Sequence, residues 1–157
     1  MEFTIRQGTE EKDFSLIQAL NAALFAEDAA HDNALDTHWP VSVEGVEYYM
    51  KSLMDTQKIV FIAEDEQHNP VGYIIASMVN KWRYRTVKTG ELENMYVIPA
   101  ARKQGVGRAL IEKIKIWLKS RRVERLYVSA YANNADAIAF YKANGFASWE
   151  TGMEATL

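Results

Sequence analysis

The run Arg102-Lys103-Gln104-Gly105-Val106-Gly107-Arg108 sets two residues without a Cβ among three cations, directly ahead of an apolar-periodic segment. Such a turn can aim its backbone N–H groups outward at a helix N-terminus, where free donors and the helix dipole together favour an anion. The chemistry this predicts is the binding of a phosphate-bearing ligand. Two nucleotide readings fail on residues. A P-loop needs G-x-x-x-x-G-K-[ST], but Gly107 is followed by Arg108-Ala109. A dinucleotide fingerprint needs a third glycine where Leu110 stands. Just upstream, Glu91 and Glu93 lie in an extended segment. Strict alternation predicts Glu91, Glu93, Met95 and Val97 on one face, with Leu92, Asn94 and Tyr96 on the other.

These residues must be held by a larger frame. A chain of 157 residues is long enough to bury a sizeable core, and residues 1–157 are read as one domain. It has no cysteine, which excludes disulfides, thiolate metal sites and a cysteine nucleophile and fits a reducing compartment. The first residues, MEFTIRQGTEEKDF, carry charge where a signal peptide needs an apolar core, and no apolar run nears the roughly 18 residues of a membrane span. The expectation is a cytoplasmic protein with no membrane partner. Charge is split: residues 1–80 hold 14 acids against 4 Lys/Arg, and residues 81–157 hold 7 against 14. Two surfaces with different partners would account for this.

Read in order, Phe3–Arg6 predicts a strand, followed by a helix capped by Thr9 and running to about Ala26. Glu27–Pro40 reads as a polar loop or broken helix. A second helix starts at Ser42 or Val43 and ends near Asp55, and Ile59–Ala63 with Val71–Met78 form a hairpin across a polar turn. Asn80–Arg85 connects to the strand Glu91–Ile98, which Pro99 terminates. A helix over 106–120, a strand Leu126–Tyr131 and a helix Asn134–Asn144 closed by Gly145 follow. Phe146–Leu157 predicts one or two final strands, as a hairpin around Thr151-Gly152. The order β-α-α-β-β-β-α-β-α-β argues an α/β (α+β) domain with a mixed, largely antiparallel sheet and helices on both faces.

Val97-x-Pro99-x-x-Arg102-x-x-Gly105-x-Gly107 before a helix resembles the acetyl-CoA motif of the GNAT family of N-acetyltransferases. Asn134-x-x-Ala137-Ile138-x-Phe140-Tyr141-x-x-x-Gly145-Phe146 resembles that family's C-terminal motif, in the matching order and separation. The resemblance implies a sheet of six to seven strands with about four helices and acetyl-CoA as co-substrate. It assigns the CoA pyrophosphate to the backbone of Lys103, Gln104, Gly105, Val106, Gly107 and Arg108, with charge from Arg102, Lys103 and Arg108. It gives Met95, Tyr96 and Val97 to the pantetheine-pairing edge, and Asn134 to a further CoA contact, with Asn133 as its substitute if Asn134 caps the helix.

Acetyl transfer needs a neutral nucleophile, whereas a lysine-type amine has a pKa of about 10.4 and is charged at pH 7. The resemblance makes Glu93 the base, with Glu91 in reserve, and makes Tyr141 the acid for the leaving thiolate. It places the acceptor against the N-terminal half, where Glu27, Asp28, Asp32 and Asp36 form an acidic rim suited to a cationic amine. The expected activity is transfer to a primary amine by direct attack in a ternary complex. A noncatalytic acyl-CoA sensor and a protein or peptide N-acetyltransferase are the alternatives, and the state is left between monomer and homodimer. His31 and His38 lack metal-ligand spacing, so no metal is expected. The basic cluster around Lys119–Arg125 meets a helix C-terminus, and with a pI of about 5.7 no nucleic-acid partner is expected. Trp39, Tyr48, Tyr49, Trp82 and Tyr84 suit either an acceptor pocket or the core.

Overall fold

The computed structural model describes residues 1–78 and 81–157. The expected connection begins at Asn80, which lies outside the described residues. The elements are β1 (Phe3–Gln7), α1 (Glu10–Asp28), α2 (Val43–Met54), β2 (Lys58–Asp65), β3 (Pro70–Ser77), β4 (Thr89–Val97), α3 (Val106–Ser120), β5 (Arg125–Tyr127) and α4 (Ala135–Ala143). Among the described residues they make one sheet, ordered β1-β2-β3-β4-β5, antiparallel throughout except for the parallel β4–β5 pair.

Alternation in the central strands builds two cores. Ile59 and Ala63 of β2, with Ile74 and Ala76 of β3, face Leu110, Ile111 and Ile114 of α3. Val60 and Ile62, with Tyr73 and Ile75, face Ile17 and Leu20 of α1 and Tyr49 of α2. This period-2 division of buried side chains is what a sheet covered on both faces requires.

Four expectations are corrected. The sheet has five strands among the described residues, not six to seven. Phe146–Leu157 forms no strand, because Met153 and Leu157 are exposed and give such a strand no face to bury. The strand expected over Leu126–Tyr131 stops at Tyr127, where β5 parts from β4. Finally, β4 does not alternate strictly. Ile75 pairs with Asn94 and Ala76 with Leu92, which leaves Glu93 as an extra residue. This bulge inverts the parity of all that follows. Leu92, Met95 and Val97 therefore share the α3 core, opposite the face that carries Glu91, Glu93 and Asn94.

Local chemistry sets the helix ends. Ser42 Oγ accepts the Gly45 N–H at 3.1 Å. At α1 the Thr9 side chain makes no such bond. Asp13 instead accepts the Thr9 N–H at 2.7 Å and is bridged by Arg6 at 2.8 Å. Gly45 packs where a Cβ would lie 2.2 Å from the Trp39 carbonyl oxygen. Gly45→Ala, normally a gain in a helix, is therefore expected to destabilise the protein by about 3 kcal/mol. A thermal melt should show a fall of roughly 6–12 °C, and an unchanged midpoint would refute the close packing of α2 on the turn before it.

Candidate active site

β5 follows β4 only from Thr89 to Glu91, so one edge of β4 is open from Leu92 onward. Ile98 N–H donates to Val71 O at 3.0 Å. By antiparallel register, the backbone groups of Val97 and Met95 then point the other way, toward the open edge. That edge runs through a 3-10 turn at Pro99–Ala101 into the glycine turn. There Lys103 (φ 60) and Gly105 (φ 88) both adopt left-handed backbone, which for lysine costs roughly 1–2 kcal/mol. None of the N–H groups of residues 103–108 donates to an acceptor among the described residues. Six successive free donors at the start of a 15-residue helix form an anion seat.

Arg102 is engaged inward. Its Nε donates to Val97 O at 2.8 Å, and its guanidinium grips both oxygens of Glu27 at 2.8 Å, while the Tyr96 hydroxyl donates to the same carboxylate at 2.8 Å. Gln104 Nε2 donates to Ala100 O at 2.7 Å. Lys103 and Arg108 are the cations beside the seat that carry no such bond among the described residues.

On the other face, a cleft of about 560 Å³ is lined by Phe25, Trp39, Tyr48, Lys58, Glu91 and Glu93, among others. Glu93 Oε2 accepts from Tyr48 Oη at 2.6 Å and from Lys58 Nζ at 2.7 Å. Burial pushes the Glu93 carboxyl up. The Lys58, Ser77 and Tyr48 donors outweigh it and hold the group below the usual carboxylate range, although Ser77 Oγ falls short of hydrogen-bond geometry. Tyr48 is driven well above a free phenol by burial and by the Glu93 charge. Glu91 pairs with Lys81 at 2.6 Å. Behind them, Asn94 Nδ2 donates to Tyr48 Oη at 2.7 Å, and Asn21 Nδ2 donates to Tyr73 Oη at 2.7 Å and to Asn94 Oδ1 at 3.2 Å. Lys58, Tyr48 and Asn21 escaped sequence reasoning as a group, since no local pattern signals partners 35 to 73 residues away.

Asn134 spends its side-chain oxygen on the Ala137 N–H at 3.1 Å and so caps α4. Its neighbour Asn133 donates to the His31 carbonyl at 3.2 Å. At the other end, Gly145 N–H reaches Lys142 O and Phe146 N–H reaches Tyr141 O, a Schellman closure with Gly145 at φ 87. This holds the Tyr141 ring between Phe140 and Phe146, with centroids 5.4 and 5.5 Å away. The Tyr141 hydroxyl makes no hydrogen bond among the described residues. Burial, with the Asp28 charge behind it, pushes this phenol up to about 12. The acidic rim is dispersed: Asp32 accepts from Ala34 N–H at 2.9 Å and Tyr131 Oη at 3.4 Å, and Asp36 accepts the His38 N–H at 2.9 Å. Of the aromatics in doubt, Trp39 and Tyr48 line the cleft, Tyr49 is core, and Tyr84 is exposed. Trp82 packs on Tyr127 and Trp149.

Residues 22–146 match the acetyltransferase (GNAT) family. The chain is 28% identical over 114 residues to an aminoglycoside N(6′)-acetyltransferase type 1 of Stenotrophomonas maltophilia, covering 71% of this chain and 74% of that protein. It is 44% identical over 55 residues to the ribosomal protein bS18-alanine N-acetyltransferase of Escherichia coli K12, but this covers 35% of the chain and 37% of that enzyme. Among solved structures, a mutant protein from Bacillus halodurans superposes with a TM-score of 0.85 at 20% identity, covering 98% of this chain and 99% of that one. An aminoglycoside antibiotic 6′-N-acetyltransferase from Acinetobacter baumannii gives 0.77 at 18% identity, with 99% and 98% covered. An open strand edge feeding an anion seat, set against a polar cleft, is the architecture of an N-acetyltransferase. The chain belongs to the acetyltransferase (GNAT) family. Among the described residues no group of three or more His, Cys, Asp or Glu is arranged to hold a metal. None of the described helices is long and apolar enough to cross a membrane.

Proposed function

We propose that this protein is an acetyl-CoA-dependent N-acetyltransferase that acetylates a primary amine of a cationic small molecule by direct attack in a ternary complex. The observation that carries the reading is the run of free N–H groups at 103–108, reached along the open edge of β4. That edge suits pantetheine amides at Met95, Tyr96 and Val97, and the seat suits a pyrophosphate, with Lys103 and Arg108 adding charge. Bound there, acetyl-CoA supplies an activated thioester. No cysteine exists to carry an acyl-enzyme, so positioning and electrostatics supply the rate.

A cleft of about 560 Å³ has the size of a small-molecule site. The longer of the two sequence matches is to an enzyme named for aminoglycosides. Tyr141, protonated at every working pH, serves as the donor to the departing sulfur. Glu93 serves as fixed negative charge in the cleft: a carboxylate held low by Lys58 and Tyr48 is a weak proton acceptor. The match to the bS18-alanine enzyme favours, as a second reading, a peptide α-amine as acceptor. A chain without cysteines suits a reducing compartment such as the cytoplasm.

Calorimetry with acetyl-CoA, followed by thiol release with a panel of amines and short peptides, tests both. Saturable binding and turnover on at least one amine are expected. No binding at millimolar acetyl-CoA would reject the reading, and binding with no turnover on any acceptor would make the protein an acyl-CoA sensor.

A further inference from the structure

Five of the six carboxylates on the acceptor side are already served by protein donors. Glu27 is held by Arg102 and Tyr96, Asp32 by Ala34 N–H and Tyr131, Asp36 by His38 N–H, Glu91 by Lys81, and Glu93 by Lys58 and Tyr48. The Asp28 carboxylate alone among these six has no hydrogen bond and no ion pair among the described residues, although the residue is half-buried.

Its neighbours in sequence locate it. Glu27 is pinned at the end of the open β4 edge through Tyr96 and Arg102. Three residues beyond Asp28, His31 stacks on Tyr131 at 6.0 Å and its carbonyl accepts from Asn133 Nδ2 at 3.2 Å, in the loop that leads into α4. Asp28 therefore lies between the end of the open β4 edge and the loop before α4, and its charge acts on Tyr73 of β3, on Tyr131 in that loop and on Tyr141 of α4. Tyr141 is the complementary case, a hydroxyl with no acceptor among the described residues. A carboxylate can only accept and a phenol can donate, so the two would bond if they touched. They do not, and the space between them exceeds a hydrogen bond.

We propose that Asp28, rather than Glu93, is the base of the reaction, and that the acceptor amine and the thioester react in the gap between Asp28 and Tyr141. This rests on the acetyltransferase reading above. The ammonium R–NH₃⁺ gives one proton to the Asp28 carboxylate. The freed lone pair forms the C–N bond, the C–S bond breaks, and the electron pair leaves on sulfur. Tyr141 protonates the thiolate, and the second proton lost from nitrogen restores the phenol. Products are the acetamide and free CoA, and the proton on Asp28 is released to solvent. A single ammonium satisfies the Asp28 carboxylate, so the site selects for one cationic centre at the reacting end.

The electrostatics agree in sign. Burial raises Asp28 above the usual carboxylate range. The His31 charge opposes this and Glu27 adds to it, while the phenols of Tyr73, Tyr131 and Tyr141, all raised, face it. A carboxylate raised by burial is the stronger base. It loses that role as pH falls through its pKa.

The test compares wild type and Asp28→Asn on two acceptors at pH 7, an alkylamine that is charged and a fluorinated alkylamine that is largely neutral. Wild-type turnover reports on the acetyltransferase reading, and the difference between the two losses reports on Asp28. We expect kcat for the charged amine to fall about 10²- to 10⁴-fold and kcat for the neutral amine to fall less than about tenfold, with acetyl-CoA affinity unchanged. Equal losses on both, or no loss on either, would overturn the proposal. Should the variant fail to fold, the wild-type pH profile decides. An acid-side limb in kcat is expected with the charged amine and not with the neutral one, and the same limb in both would sink the idea.

Discussion

Tyr141→Phe is expected to lower kcat about 10²- to 10⁴-fold while leaving acetyl-CoA affinity nearly intact. The ring stays, so the Phe140–Tyr141–Phe146 cluster and the closure at Gly145 survive. The hydroxyl has no hydrogen-bond partner among the described residues, so its loss leaves no orphaned partner there and should scarcely alter the melting temperature. What disappears is the donor to the leaving thiolate. Because burial and the Asp28 charge push the phenol up to about 12, wild-type activity should show no alkaline limb from this group at any lower pH. Single-turnover kinetics beside calorimetry would separate the effects. Turnover unchanged in the phenylalanine variant would remove Tyr141 from the chemistry.

The second large effect is on stability. Lys58→Met should cost about 2–3 kcal/mol at neutral pH, a fall in Tm of roughly 4–12 °C. Lys58 and Glu93 side chains are 11% and 15% exposed and 2.7 Å apart, so removing the cation strands a mostly buried carboxylate. In the wild type the Glu93 pKa is lowered. Its contribution is present above the unfolded value of about 4.3 and is lost as pH falls through the folded value. Without Lys58, burial dominates and the folded pKa rises above the unfolded one. The penalty then applies where Glu93 is ionised and relaxes as acid protonates it. The gap in Tm between variant and wild type should therefore be widest near pH 7 and narrow toward pH 4. Adding Glu93→Gln should recover most of the loss, because it removes the stranded charge. A variant as stable as the wild type across this range would show that the ion pair contributes nothing.

The elements legible from the chain are those encoded within a few residues. The apolar periodicity at Leu110, Ile111, Ile114 and Leu118 marked α3, and the structure buries those four. Pro99 ended β4, α2 began at Val43, one of the two starts expected, and Gly145 closed α4 in left-handed backbone. The expected terminal hairpin failed because turn-forming residues at Thr151-Gly152 say nothing about whether a neighbouring strand exists to pair with. At the site, the anion turn was readable because its donors belong to consecutive residues. The side-chain assignments were less so. Arg102, read as a phosphate ligand, is drawn to Glu27, 75 residues earlier in the chain.

By itself, then, the sequence determined the glycine turn before α3, the capped helix bearing Tyr141, and the family. Each rests on backbone preferences of glycine, proline and capping residues that act locally, whatever packs around them. Only the tertiary structure decided how the carboxylates divide. One extra residue in β4 turns Glu93 to the face opposite Met95 and Val97. There Lys58 and Tyr48 claim it, while the Asp28 carboxylate at the end of α1 has no partner among the described residues and acts through its charge on Tyr141. A strand's parity and a carboxylate's partner depend on pairings between distant segments, and those exist only once the sheet has closed against its helices.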